Sequence, residues 1–332
     1  MPPFDRSCCF LFLSRSSESA AFLTCYCICA RYLRPIANIR FVYFHIGLFM
    51  APKSQSAKRR PEAEGPSSSS PSEDLRRRYS WVSHEVLATD SLMSEVDVAR
   101  MKLPVMEGCV CKPAGAGEPV CSGRGEGEPN FFYFYRDVNT RIRISFPFSA
   151  FQMSALTYLH LAPSQLHPNG WAYLLAFEKL CDSFPVPIPC TTDLFFHYFC
   201  PFTPGSQKEG DSLKGLVSLR NASDRKLMGA FSDSFKRFKG AFYKVVAVAG
   251  QRPWFLDGAE GPGVEGRFPL YWDQGHYQQS PTSYLVDEGR LLPDIKPHIP
   301  RLAAFVERYG IHSAASFISG DASEPLTPSC RS

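Results

Sequence analysis

Apolar residues recur at helical spacing most clearly over residues 169–184, where Trp171, Leu174, Leu175, Phe177, Leu180 and Cys181 cover more than half of the helix girth. The pattern predicts a helix at the centre of the core, capped by Asn169 and stopped by Pro185, Pro187 and Pro189. Two helices flank it. Ser149 caps one carrying Phe151, Ala155, Leu156 and Leu159 and ended by Pro163, and Thr191 or Thr192 caps another carrying Leu194, Phe195, Tyr198 and Phe199. Pro300 in a first turn, Leu302, Phe305, Val306 and Tyr309 inward, and Gly310 at the exit describe a last helix.

Alternation and β-prone composition mark the strands. Residues 131–135 and 141–146 are β-prone runs joined by Asp137-Val-Asn-Thr140, which has turn chemistry, so a hairpin is expected. In its second arm Ile142 and Ile144 alternate with Arg141 and Arg143, giving one buried and one wet face. Residues 213–219 and 241–249 read as strands, with a helical turn carrying Phe235 and Phe238 before the second. Further upstream, Thr89 or Asp90 caps a short helix through Arg100 with Leu92, Val96 and Val98 inward. Residues 108–130, rich in Gly, Pro and Glu, read as an exposed excursion. Helices and strands interleave without a βαβ rhythm. The expected class is therefore α+β, a central helical cluster with short antiparallel strands and a disordered N-terminal region.

Composition divides the 332-residue chain into regions. Residues 1–49 are Arg-, Cys- and Ser-containing and almost free of acids, the composition either of an organelle transit peptide or of an extension upstream of a start at Met50; the second reading is preferred. Residues 50–80 form a Ser/Pro/Glu/Arg linker expected to be disordered, and residues 321–332 a disordered tail. The folded body is then 81–320. The net charge of +4 is concentrated at the front: residues 1–78 hold 12 Lys and Arg against 6 Asp and Glu, leaving 24 against 26 for the rest. A near-neutral body argues against a dedicated nucleic-acid surface. Lys58-Arg-Arg60 and Arg76-Arg-Arg78 could act as an import signal or touch nucleic acid. The apolar runs at 8–13 and 41–50 are shorter than the roughly 20 residues of a membrane span, and scattered cysteines argue against a disulfide framework. The chain is expected to be nuclear or cytoplasmic and not secreted, with no membrane partner.

Four blocks in order carry a resemblance: Leu161-Ala-Pro-Ser-Gln-Leu-His-Pro-Asn-Gly-Trp-Ala-Tyr173 running on to Cys181, Gly215-Leu-Val-Ser-Leu219, Phe235-Lys-Arg-Phe-Lys-Gly-Ala-Phe-Tyr-Lys-Val245, and Phe268-Pro-Leu-Tyr-Trp272. Together they resemble the gypsy-type transposon domain widespread in plant genomes. Family members usually have Ser where this chain has Gly170. The resemblance implies retroelement descent, from a structural or Gag-like reading frame, and supplies no catalytic residues.

Candidate chemistry was weighed against plain packing. Asp193, Asp224, Asp233, Asp257 and Asp273 could supply the carboxylate trio of a two-metal transposase or nuclease, but acids this frequent provide a trio in almost any chain. Cys109, Cys111 and Cys121, or Cys190, His197 and Cys200, lack paired zinc-ligand spacing. Cys181, Cys190 and Cys200 read as core residues, and His160 and His167 as turn histidines. Lys236, Arg237, Lys239 and Lys244 interleave with Phe235, Phe238, Phe242 and Tyr243, the one place in the body with a nucleic-acid-like pattern. Helical spacing instead sorts them into an ordinary amphipathic segment. No catalytic, cofactor or metal site is expected. The leading function is a non-enzymatic domain for protein assembly or interaction, with itself or another protein. A nucleic-acid-associated role through the basic linker stands second, and a metal-dependent nuclease third.

Overall fold

The computed structural model describes residues 71–320, apart from 105, 205–212, 232–234, 236 and 257–266. Chain order begins with α1 (Pro71–Arg78), α2 (His84–Leu87) and α3 (Glu95–Arg100), followed by β1 (Cys109–Pro113), β2 (Phe131–Tyr135) and α4 (Arg136–Thr140). The central helices are α5 (Ala150–Leu159), α6 (Pro168–Asp182) and α7 (Thr192–Tyr198). Then come β3 (Phe199–Phe202), β4 (Ser218–Asn221), β5 (Phe242–Ala247), α8 (His298–Tyr309) and α9 (Ala314–Ser319). The class is α+β, with two small antiparallel sheets around the helical cluster.

β5 lies between β1 and β2 and pairs antiparallel with both, Val246 opposite Val110 on one side and Phe131 on the other. β2 is buried at every position, which explains its unbroken Phe-Phe-Tyr-Phe-Tyr sequence. Phe132 and Phe134 join Phe146, Phe148 and Trp171, and Phe134 meets the Trp171 ring edge-on at 5.3 Å. Across the sheet, Tyr133 and Tyr135 meet Phe242 and Phe238.

α6 is the core helix: Trp171, Ala172, Leu174, Ala176, Phe177, Leu180 and Cys181 are fully buried. Its cap lies two residues earlier than expected. His167, not Asn169, is its cap, with the His167 Nδ1 accepting from the Asn169 N–H at 3.1 Å and Pro168 in the first turn. α5 has the expected Ser149 cap, in a reciprocal box with Gln152, and α7 the expected Thr191 cap. α5 stops at Leu159 because His160 turns into the left-handed region, ahead of Pro163. α9 packs against α6 and has no counterpart in the sequence expectation.

Several expectations fail for identifiable reasons. The hairpin does not form: residues 137–140 belong to α4, and β2 pairs with β5 instead. The alternation over 141–148 is real, odd positions exposed and even ones buried, but the segment is irregular and joins no strand, Arg141 being the helical C-cap of α4 and Arg143 having a φ of +68°. The helix expected from residue 89 starts at Glu95 under the Ser94 cap, and Leu92 and Val96 are exposed at 83% and 56%. Residues 108–130 are no simple excursion, since Cys109, Val120 and Cys121 are buried and β1 adds a strand to the sheet. The strand expected at 213–219 is confined to β4, and the turn before β5 carries Phe238 without Phe235. Order does not begin at Trp81: α1 is helical, and Tyr79 is buried with its hydroxyl accepting from the Gly123 N–H at 3.1 Å. The N-terminal extension, most of the linker and the tail lie outside the described residues.

Candidate binding cleft

The basic segment is built into the turn before β5 and into β5 itself, the central strand of its sheet. Lys244, on β5, pairs with Glu118 and lies 4.1 Å from the centre of the Phe131 ring. Lys239 pairs with Glu85 at 2.6 Å, and its side chain is 14% exposed. Phe235, Phe238 and Phe242 are buried, so no aromatic face is offered beside the cations. Arg237 is exposed, and Lys236 lies outside the described residues. The segment is a 3₁₀ turn running into a strand and not the single amphipathic helix expected. In the linker, Arg76-Arg-Arg78 ends α1: Arg77 pairs with Asp74, and Arg76 faces the His84 ring. Lys58-Arg-Arg60 lies outside the described residues.

Among the described residues, no three of His, Cys, Asp and Glu are grouped so as to hold a metal. Asp233 and Asp257 lie outside them. Burial pushes the Cys111 and Cys121 thiols up to about 12. Cys190 is raised by its hydrogen bond with Cys181 and by burial, and Cys181 and Cys200 are buried as expected of core thiols. The His197 Nδ1 lies 2.9 Å from both the Val286 carbonyl and the Arg225 guanidinium. Burial, with a smaller contribution from Lys239, takes His167 down to about 4, which keeps its Nδ1 free of a proton and able to cap α6.

The polar side chains of the Leu161 block serve a different end. Ser164 and Gln165 are 1% and 0% exposed. Ser164 Oγ accepts from the Trp272 indole Nε1–H at 2.8 Å; Gln165 Nε2 donates to the Asp273 carbonyl at 2.8 Å, and its Oε1 accepts from the Asp273 N–H. Two buried polar residues therefore fix the backbone and ring of Trp272 and Asp273. Gly215 allows the approach from below: its φ is +103°, and a Cβ there would stand 3.0 Å from the Trp272 ring and 3.2 Å from Val82.

Tyr79, Trp81, Trp272 and Asp273 line a surface cleft of about 340 Å³. The Trp81 and Trp272 ring centres are 6.3 Å apart at 37°, and those of Tyr79 and Trp81 are 6.2 Å apart at 53°. Arg78, Arg124 and Gln274 also line the cleft. Tyr271 adds a partly exposed ring whose hydroxyl reaches Asn130 and the Phe131 N–H at 3.4 Å. Sequence reasoning placed Arg78 and Tyr79 in the linker, Arg124 in an excursion, and Tyr271 and Trp272 in packing. The signal it passed over was the Ser-Gln pair inside an otherwise apolar block.

Residues 141–202 match the family model described as "Putative gypsy type transposon". This stretch, which runs from the irregular segment before α5 to the end of β3, is similar to a gypsy-type transposon domain. It contains the first of the four blocks; the other three lie outside the match. No curated protein and no solved structure matches the chain. Among the described residues, no helix is long and apolar enough to cross a membrane.

Proposed function

We propose that this chain is a retroelement-derived domain that acts through protein assembly or interaction and not through catalysis. One observation carries the reading: six polar side chains of the family-matched segment hold helices and loops together and support the cleft. Ser149 and Gln152 donate to Glu178, tying α5 to α6. His167 starts α6, and Ser164 and Gln165 clamp the cleft wall. Glu178, whose pKa burial raises against the pull of those two hydrogen bonds, is a partly buried link between helices.

Sedimentation velocity of the full chain across a wide concentration range tests the assembly arm, with a growing dimer or larger species expected. Incubation with single- and double-stranded DNA in Mg²⁺ or Mn²⁺ tests the catalytic alternative, and no cleavage is expected. Cleavage that persists through purification and disappears in Asp273→Ala or Asp193→Ala would replace this reading with a nuclease.

A further inference from the structure

We propose that the cleft lined by Trp81, Tyr271 and Trp272 binds a guanosine monophosphate unit, as the free nucleotide or within a single strand. The inference goes beyond the assembly reading and does not depend on it.

Three chemistries converge in the cleft. Two partly exposed rings, Trp81 and Tyr271, line the cleft and can take a planar group, with Trp81 held in tilted contact with the buried Trp272 ring at 37°. Arg78 and Arg124 bring two guanidinium groups, the partners of choice for a phosphate. The Asp273 carboxylate and Gln274 amide stand beside them. A volume of about 340 Å³ is at the small end of ligand pockets and suits one nucleotide.

Asp273 decides between ligands. A carboxylate accepts hydrogen bonds, and the pairing edge of guanine presents two adjacent donor groups, its ring N–H and its amino group. Adenine and cytosine each place a ring acceptor on that edge, which a carboxylate repels. A phosphotyrosine also fits rings and arginines, but it has no donor edge for Asp273 and would set two anions side by side. One Asp273 oxygen is already held by the Gly275 N–H at 2.5 Å, so the carboxylate is oriented before any ligand arrives. The clamp from Ser164 and Gln165 orients the backbone beneath it.

Calorimetric titration of the full chain with GMP, AMP, CMP, guanosine and O-phosphotyrosine tests the assignment, and a single-stranded oligonucleotide with one central G distinguishes the two sources. Saturable GMP or oligonucleotide binding is expected, at least about tenfold tighter than AMP or CMP, with guanosine weaker for want of the phosphate. Trp81→Ala should weaken it about tenfold or more. Arg124→Gln should erase the advantage of GMP over guanosine at an unchanged melting temperature, and Asp273→Asn should remove the preference for guanine while leaving phosphate-dependent binding. The proposal is overturned by no saturable binding of either guanine ligand, by binding indifferent to all three variants, or by tighter binding of O-phosphotyrosine. Loss of GMP binding in a chain that still self-associates would sink this inference alone.

Discussion

The Trp272 indole donates to the Ser164 hydroxyl at 2.8 Å, both groups being buried, so two sequence blocks 108 residues apart are joined by one polar bond. Ser164→Ala leaves the indole N–H without its acceptor in a dry site and should cost about 1–3 kcal/mol. Urea titration followed by Trp fluorescence checks this. A variant as stable as the parent would mean that Trp272 re-pairs elsewhere and that the wall is less fixed than the geometry indicates.

Trp171 is fully buried, its ring lies 4.8 Å from Phe148, and its Nε1–H donates to the Pro163 carbonyl at 3.1 Å. Trp171→Ala should destabilise the body by about 3–5 kcal/mol. Chemical denaturation measures the loss, and a change below about 1 kcal/mol would place the ring outside the core.

The N-terminal edge of the body can be tested by truncation. A chain starting at Ser80 loses α1 and the buried Tyr79, with its bond to Gly123. Burial of one such ring contributes about 2–3 kcal/mol. The thermal midpoint should fall by roughly 5–10 °C relative to a chain starting at Pro66. Equal midpoints would restore a boundary near Trp81.

Acid should loosen the fold through two histidines. Burial is the main cause that takes both His167 and His276 down to about 4, from the ordinary value of about 6.5. Both folded values are depressed, so the unfolded chain binds protons first as pH falls. Stability is full above about pH 6.5 and is lost progressively toward pH 4, by about 3 kcal/mol for each group at the lower limit. Denaturation midpoints at pH 7.5, 5.5 and 4.5 should decline, and His276→Gln should flatten the decline without abolishing it. A flat profile in the parent would contradict the burial of both rings.

Much of the helical cluster was legible because its signals are local. Ser149 and Thr191 carry their caps within three residues, and the apolar stripe of α6 repeats over four turns. β5 was legible for the same reason. What failed depended on distant partners: residues 131–135 look like a hairpin arm, yet Tyr135 faces Phe242. The Gly- and Glu-rich composition around β1 concealed a strand whose place is set by β5. The cleft was hidden more deeply, since residues 78–81, 123–124 and 271–274 meet only in the folded chain.

The strand order β1-β5-β2 also makes the fold dependent on the direction of synthesis. When β1 and β2 leave the ribosome their shared neighbour does not yet exist, and the whole family-matched segment emerges while they wait. A message interrupted between residues 203 and 241 would yield a polypeptide that keeps the whole family-matched segment but exposes β1 and the aromatic β2 with unpaired edges, a substrate for chaperones and proteases. Similarity and autonomous folding therefore have different limits in this chain. Trp171, inside the match, rests on Phe134, outside it.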